Sequence, residues 1–255
     1  MLAPRAGTCC EGVLVTLAEM RTSTGVAHGR RYLHRLALGL AVVATLTLSG
    51  GGSSWGANAD GTNKAAPSSR PYRTTGFLAG AMTLQLPNRW NVLEDSRLHL
   101  SAAPSGSDYR VLWSIDASAL HAGKKVAGVP SLAAPLVGWL RTNPDLRAVE
   151  AKRSTIGPKL AARVVDVTLA ANAVNDDPGC PEKACVNFLR FYGASEPYGI
   201  AGDDAIRFYF ANIRYKGGRH LLIVAIEARD RADLAARRPA AERLIHTAQL
   251  ALSSG

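Results

Sequence analysis

Arg163-Val-Val-Asp-Val-Thr-Leu169, Ala205-Ile-Arg-Phe-Tyr-Phe-Ala-Asn-Ile213 and His220-Leu-Leu-Ile-Val-Ala-Ile226 decide the fold class. The first places Val165, Val167 and Leu169 on one face with period two, the signature of a half-covered strand. The third is almost continuously apolar, which suits a strand at the centre of a sheet. Val186–Tyr192 belongs to the same series. Between Arg147 and Ile226 no segment has helical periodicity, so the regular strand–helix alternation of a parallel α/β fold is absent. The expectation is α+β.

Working outward, Ala81–Leu86 alternates apolar and polar residues before Pro87-Asn88 ends it, and Trp90–Leu93, Arg97–Ala102 and Tyr109–Ile115 follow as strands. Pro130-Ser131 opens a helix with Ser131 as expected N-cap; Leu132, Leu136, Trp139 and Leu140 share one face, and Asn143-Pro144 stops it. Arg147–Ser154 is read as a strand running into a Gly157-Pro158 turn. Asp230–Leu250 is the last helix, its stripe formed by Leu234, Ala241, Leu244, Ile245 and Ala248, with Pro239 expected to break it. The predicted architecture is an antiparallel sheet of about seven strands with a central and a C-terminal helix packed on it. Alternation over Ile206–Phe210 predicts Ile206, Phe208 and Phe210 in the core, with Arg207 and Tyr209 outward.

The N-terminal region reads as a processing signal. Arg30, Arg31, His34 and Arg35 precede an uncharged apolar run at 36–48, then a small-residue tract and Ala57-Asn58-Ala59. Thirteen residues at 1.5 Å each span about 20 Å, short of a ~30 Å hydrocarbon core. The expected organisation is an export signal at 1–59 (with Met20 as an alternative start), a flexible linker at 60–75 and one α+β domain at 76–252. The expected location is secreted or on the outer side of the membrane; an uncleaved signal at 36–48 would make it anchored. The chain carries a net charge of +10. Residues 1–59 hold five basic and two acidic side chains, leaving a net of +7 beyond them. That sign favours anionic surfaces, yet no basic run, helix-turn-helix or stacking motif points to nucleic acid.

Leu84-Gln-Leu-Pro-Asn-Arg-Trp90, a helix ending near Trp139, Gly157-x-x-x-Ala161-Ala-Arg163 and the closing Leu244-Ile-His-Thr-Ala-Gln-Leu250 resemble the PsbP-like and LpqN-type lipoprotein group of α+β proteins. The resemblance spans most of Ala81–Leu250. It implies an α+β fold and a non-enzymatic envelope or extrinsic membrane role. The chain departs from the lipoprotein members at position 51, where Gly stands in place of a lipidated Cys.

Cys180-Pro-Glu-Lys-Ala-Cys185 is the most specific local feature. Two cysteines remain beyond the signal, and an exported domain meets an oxidising compartment, so a Cys180–Cys185 disulfide is expected. Glu182 and Lys183, inside the stapled loop, are candidate recognition residues because preorganisation lowers the cost of binding. The sequence assigns no catalytic residue, no metal-ligand set and no cofactor. His99, His121, His220 and His246 are isolated, and Asp176-Asp177 and Asp203-Asp204 read as turn carboxylates. The first functional expectation is a non-catalytic exported domain binding an envelope component, a small amphiphile or an envelope protein. The alternative is a secreted hydrolase assembled from distant residues, among them His99, His220 and Asp203.

Overall fold

A computed structural model describes residues 68–251 except 108, 178, 179, 181 and 183. These lie in the unit Gly56–Gly255. The expected export signal, the alternative start at Met20 and the first half of the expected linker lie outside the described residues.

Three sheets are present. The largest runs β3(Trp90–Asp95), β4(His99–Pro104), β5(Arg110–Ile115), β14(Gly218–Ala228), β13(Ala205–Tyr215), β10(Leu160–Leu169), β8(Leu146–Glu150), with β9(Ser154–Ile156) also paired to β10. All of these pairings are antiparallel. The apolar His220–Ile226 run is indeed central, between β5 and β13. One face is covered by α2(Arg231–His246) and by a small sheet of β1(Ser69–Arg73), β2(Met82–Pro87) and β15(Gln249–Leu250). Trp113, Val164, Tyr209, Leu222 and Val224 meet Leu84, Leu244 and Ile245 there. The other face is covered by α1(Ala133–Thr142) and by a sheet ordered β12(Tyr198–Ala201), β11(Cys185–Phe191), β6(Ala117–His121), β7(Lys124–Lys125). Val165, Val167, Phe208, Phe210 and Ile223 pack there on Leu136, Leu140 and Phe188. Each fully buried Leu or Phe contributes about 1.5–3 kcal/mol to this three-layer arrangement.

The fold is α+β as expected, but covering both faces of the sheet changes several local expectations. Arg207 is 9% and Tyr209 0% exposed. Alternation turns them away from Phe208, but α2 lies over that face, so they are interior rather than outward. The described residues form fifteen strands where about seven are expected from the sequence, and β1, β6, β7, β9, β12 and β15 are short ones set by pairing, not hydrophobic runs. β1 occupies residues expected as linker. Its Ser-Arg-Pro-Tyr-Arg carries no apolar alternation, and it pairs with β2 as an edge strand, where Pro71 is tolerated.

Both helix boundaries also differ in part. Ser131 does not cap α1. Its Oγ accepts the Ala117 N–H (3.1 Å) and donates to Asp116 Oδ1 (3.2 Å), while Asn212 Oδ1 of β13 accepts the Ala133 N–H (3.0 Å). In α2, Asp230 caps the start through the Asp233 N–H. Pro239 leaves the helix unbroken. Leu234 on one side of it and Ala241, Leu244 and Ile245 on the other are held on the sheet, and the carbonyl left without a donor belongs to exposed Ala235.

Candidate functional site

The β13–β14 hairpin outreaches its neighbours. β10 pairs with β13 only to Phe210 and β5 with β14 only from Leu222, so the end of the hairpin projects roughly 10 Å beyond both. Its turn is Tyr215-Lys216-Gly217-Gly218, with φ of 49° at Lys216 and 76° at Gly217. Positive φ at both central residues is the turn that matches strand twist. A Lys there costs about 1 kcal/mol relative to Gly. Its ammonium stands 5.3 Å over the Tyr215 ring. Arg214 and Arg219 face each other directly across the ladder and are exposed. Among the described residues neither they nor Lys216 lies within ion-pairing distance of a carboxylate. The arginines of the interior contrast with them. Arg110 is paired with Glu227 (2.6 Å), Arg163 with Glu150 (2.7 Å), and Arg207 with Asp166 (2.7 Å) and Glu242 (3.0 Å).

Beneath the tip is a polar knot. Asp116 joins β5 to β6, where the chain leaves one sheet for another, and its backbone has φ of 53°. Its Oδ1 accepts the Leu221 N–H (2.8 Å) and the Ser131 hydroxyl, and its Oδ2 stands 2.8 Å from His220 Nδ1. A carboxylate only accepts, so Nδ1 carries a proton, and in the neutral form of the ring Nε2 is the nitrogen with the lone pair. The Tyr215 ring flanks the imidazole at 6.3 Å, edge to face. A Cβ on Gly218 would lie 2.7 Å from Nε2, so glycine is what makes room for the ring. The Tyr192 N–H donates to the Asp116 carbonyl (3.0 Å), which brings Tyr192, 70% exposed, to the same end.

On the face under α2, Arg207 is held by both oxygens of Asp166, while Glu242 accepts from Arg207 and from the Tyr209 hydroxyl (2.7 Å). Hydrogen bonding to Asp166 raises the Arg207 pKa despite burial, and burial followed by Glu242 raises that of Tyr209. Through Glu242, Arg207 and Tyr209 fasten α2 to the sheet.

Cys180 and Cys185 form the expected disulfide, with Cα atoms 5.9 Å apart. Lys183 lies outside the described residues. Glu182 is exposed, and its carboxylate lies where a Cβ on Gly202 would meet it at 3.3 Å. Asn175 Oδ1 accepts the N–H groups of Asp177 and Cys185, and the Asp176 carboxylate accepts that of Asn187. Burial, with the nearby charges of Asp145 and Asp177, raises the Asp176 pKa.

The residues of the hydrolase alternative do not meet. His220 pairs across from Ile213, ten residues along β13 from Asp203, so about 30 Å separates them. His99 lies on the opposite face of the large sheet from His220, against Phe191 with ring centroids 5.8 Å apart. His246 reaches Ser154 Oγ at 3.4 Å, and His121 lies 3.6 Å from Asp145. Asp116, the actual partner of His220, is 104 residues away in sequence and has no local signal. The tip was detectable: Arg-Tyr-Lys-Gly-Gly-Arg between two strand patterns is a two-residue hairpin turn with flanking cations.

No protein-family model matches the chain, and no curated protein matches it. Among solved structures it is similar to LpqN of Mycobacterium tuberculosis, described as involved in cell envelope biogenesis, with 13% identity over 73% of this chain and 86% of that one (TM-score 0.37). It is similar to the cyanobacterial PsbP of Synechocystis, with 9% identity over 78% and 98% of the two chains (TM-score 0.36). A variant of Mog1 has 11% identity over 73% and 97% (TM-score 0.35). Two of these three belong to the group that the Leu84–Trp90 opening resembles. At TM-scores this low the likeness assigns no activity.

Proposed function

We propose that this chain is an exported, non-catalytic accessory domain of the cell envelope that acts by binding a partner. The observation that carries the reading is the projecting β13–β14 tip, where Arg214, Lys216 and Arg219 stand exposed with no carboxylate partner among the described residues, while the interior arginines are matched to carboxylates. Exposed, uncompensated charge on a rigid projection serves association, not turnover. The apolar run at 36–48 and the Cys180–Cys185 disulfide agree with a location outside the cytoplasm. The partner is an envelope component, a small amphiphile or an envelope protein. The stapled loop is a second contact surface: Lys183→Ala together with Glu182→Ala should weaken partner capture, and unchanged capture ends that reading.

The test is fractionation of the native protein. Recovery in the envelope fraction and release by high salt are expected, since screening weakens exposed charge pairs. Recovery wholly in the cytosol, or salt-insensitive retention of a species lacking residues 36–48, overturns the reading.

A second reading has a specific observation in its favour. The Asp116–His220 pair orients Nε2 as a general base would be oriented. A panel of ester, phosphoester and glycoside substrates decides it: turnover abolished by His220→Gln establishes a hydrolase, and none removes that reading.

A further inference from the structure

We infer that the β13–β14 tip is a docking surface for the phosphate-bearing face of an anionic phospholipid bilayer, an inference that rests on the binding reading above. Three features of the tip converge on that partner. First, Arg214 and Arg219 are directly opposed, an arrangement that repels in isolation, and Lys216 takes a left-handed backbone where glycine would be cheaper. Packing does not relieve the opposed arginines, because both are exposed, and exposed Lys216 has only its contact with the Tyr215 ring. A phosphate-rich surface compensates both.

Second, the shape is convex. The hairpin outreaches β10 and β5, so its cations meet a surface together but do not enclose a small anion. Third, the same end carries tyrosine. Tyr192 is 70% exposed and Tyr215 lies under the Lys216 ammonium. Rings with a polar tip settle at the boundary between headgroups and acyl chains. The Asp116 carboxylate beneath the tip is consumed by Leu221, Ser131 and His220, and that of Asp95, at the β3–β4 turn, by Thr75, Gly76 and Phe77. Asp203 and Asp204 stand at the far end of β13, and Asp176, Asp177 and Glu182 flank the start of β11 at that end. The polarity turns the tip toward a negative surface.

Each Lys or Arg near an anionic bilayer strengthens binding about fivefold, so three contribute roughly a hundredfold, falling with salt. The experiment is co-sedimentation of the native protein with vesicles of phosphatidylcholine alone and of phosphatidylcholine mixed with phosphatidylglycerol. The variants are Arg214→Gln/Lys216→Gln/Arg219→Gln and, as a control at the other end of the molecule, Lys124→Gln/Lys125→Gln. Comparing variants in the same chain cancels any contribution from residues 36–48. Binding to the mixed vesicles roughly a hundredfold above neutral ones, lost in the triple variant and kept in the control, supports the inference. Equal losses in the two variants, an unaffected triple variant, or full competition by millimolar inorganic phosphate overturn it. Absence of vesicle binding from a protein that salt still releases from the native envelope overturns the bilayer and leaves the binding reading standing.

Discussion

Gly157→Ala is expected to unfold the contact between the β9–β10 turn and the end of α2. Gly157 has φ of 62°, and its N–H donates to the Ile245 carbonyl (3.0 Å). A methyl group there would be driven onto the Ala248 carbonyl oxygen, well inside van der Waals contact, with the carbonyl carbon at 3.1 Å. That carbonyl cannot easily retreat. Ala248 is 1% exposed, its N–H is bonded to Ile245, and the preceding Thr247 hydroxyl accepts the Gln85 N–H (3.0 Å). The left-handed backbone costs about 1 kcal/mol for alanine, and forcing a methyl into a packed contact costs about 1–3 kcal/mol more. The expected loss is about 3 kcal/mol. Gly123→Ala provides the comparison, since Gly123 has φ of 72° but open space around its missing Cβ. It should lose only the backbone part, about 1 kcal/mol. Urea unfolding of both variants, read at a common slope, measures the difference. Equal losses would refute the steric argument and leave backbone conformation alone as the cause.

Arg207→Met removes the cation from between Asp166 and Glu242. Both carboxylates are partly hydrated, so the expected loss is about 2–3 kcal/mol, below that of a fully buried pair. Calorimetry should show it as a fall of about 4–12 °C in Tm, and a change under 1 °C would contradict the clamp. Burial raises the Asp95 pKa, but hydrogen bonds from the Thr75 and Phe77 N–H groups and the Tyr72 hydroxyl outweigh it, so the folded value is depressed. A depressed carboxylate stabilises above its unfolded pKa, near 3.9, and that stability is lost as pH falls through the folded value. Asp95→Asn should therefore flatten the acid limb of the stability profile, and an unchanged limb counts against the assignment. The same contact, after burial, pushes the Tyr72 pKa up to about 12, so ultraviolet titration should find its phenolate forming well above pH 10. Cys180→Ser with Cys185→Ser opens a six-residue loop and should cost about 2 kcal/mol, with faster amide exchange confined to the segment before β11.

The strands longest in sequence were the most legible. Val165, Val167 and Leu169, and the run from Leu221 to Ile226, carry their own pattern, so periodicity finds them. Periodicity misled where a second layer covers the opposite face. Arg207 and Tyr209 look solvent-directed until α2 is placed over them. Ser131 looks like a helix cap because no local rule reveals that Asp116 takes its hydroxyl, or that Asn212 of a distant strand does the capping. The candidate site divides the same way. Its cations and its turn glycines are visible in six consecutive residues, whereas the projection of the hairpin exists only because the β10 ladder ends at Phe210 and the β5 ladder at Leu222.

The small sheet of β1, β2 and β15 also fixes a timetable. Thr83 and Met82 of β2 pair with Gln249 and Leu250 of β15, so this sheet is completed only by the last strand of the fold. Long sequence separation slows closure, because loop entropy must be overcome before the contact rewards it. During synthesis the front of the chain therefore stays open, with its apolar face uncovered, until nearly the whole domain has emerged. The closing pair of strands thus sets the moment at which the chain acquires its last covered face.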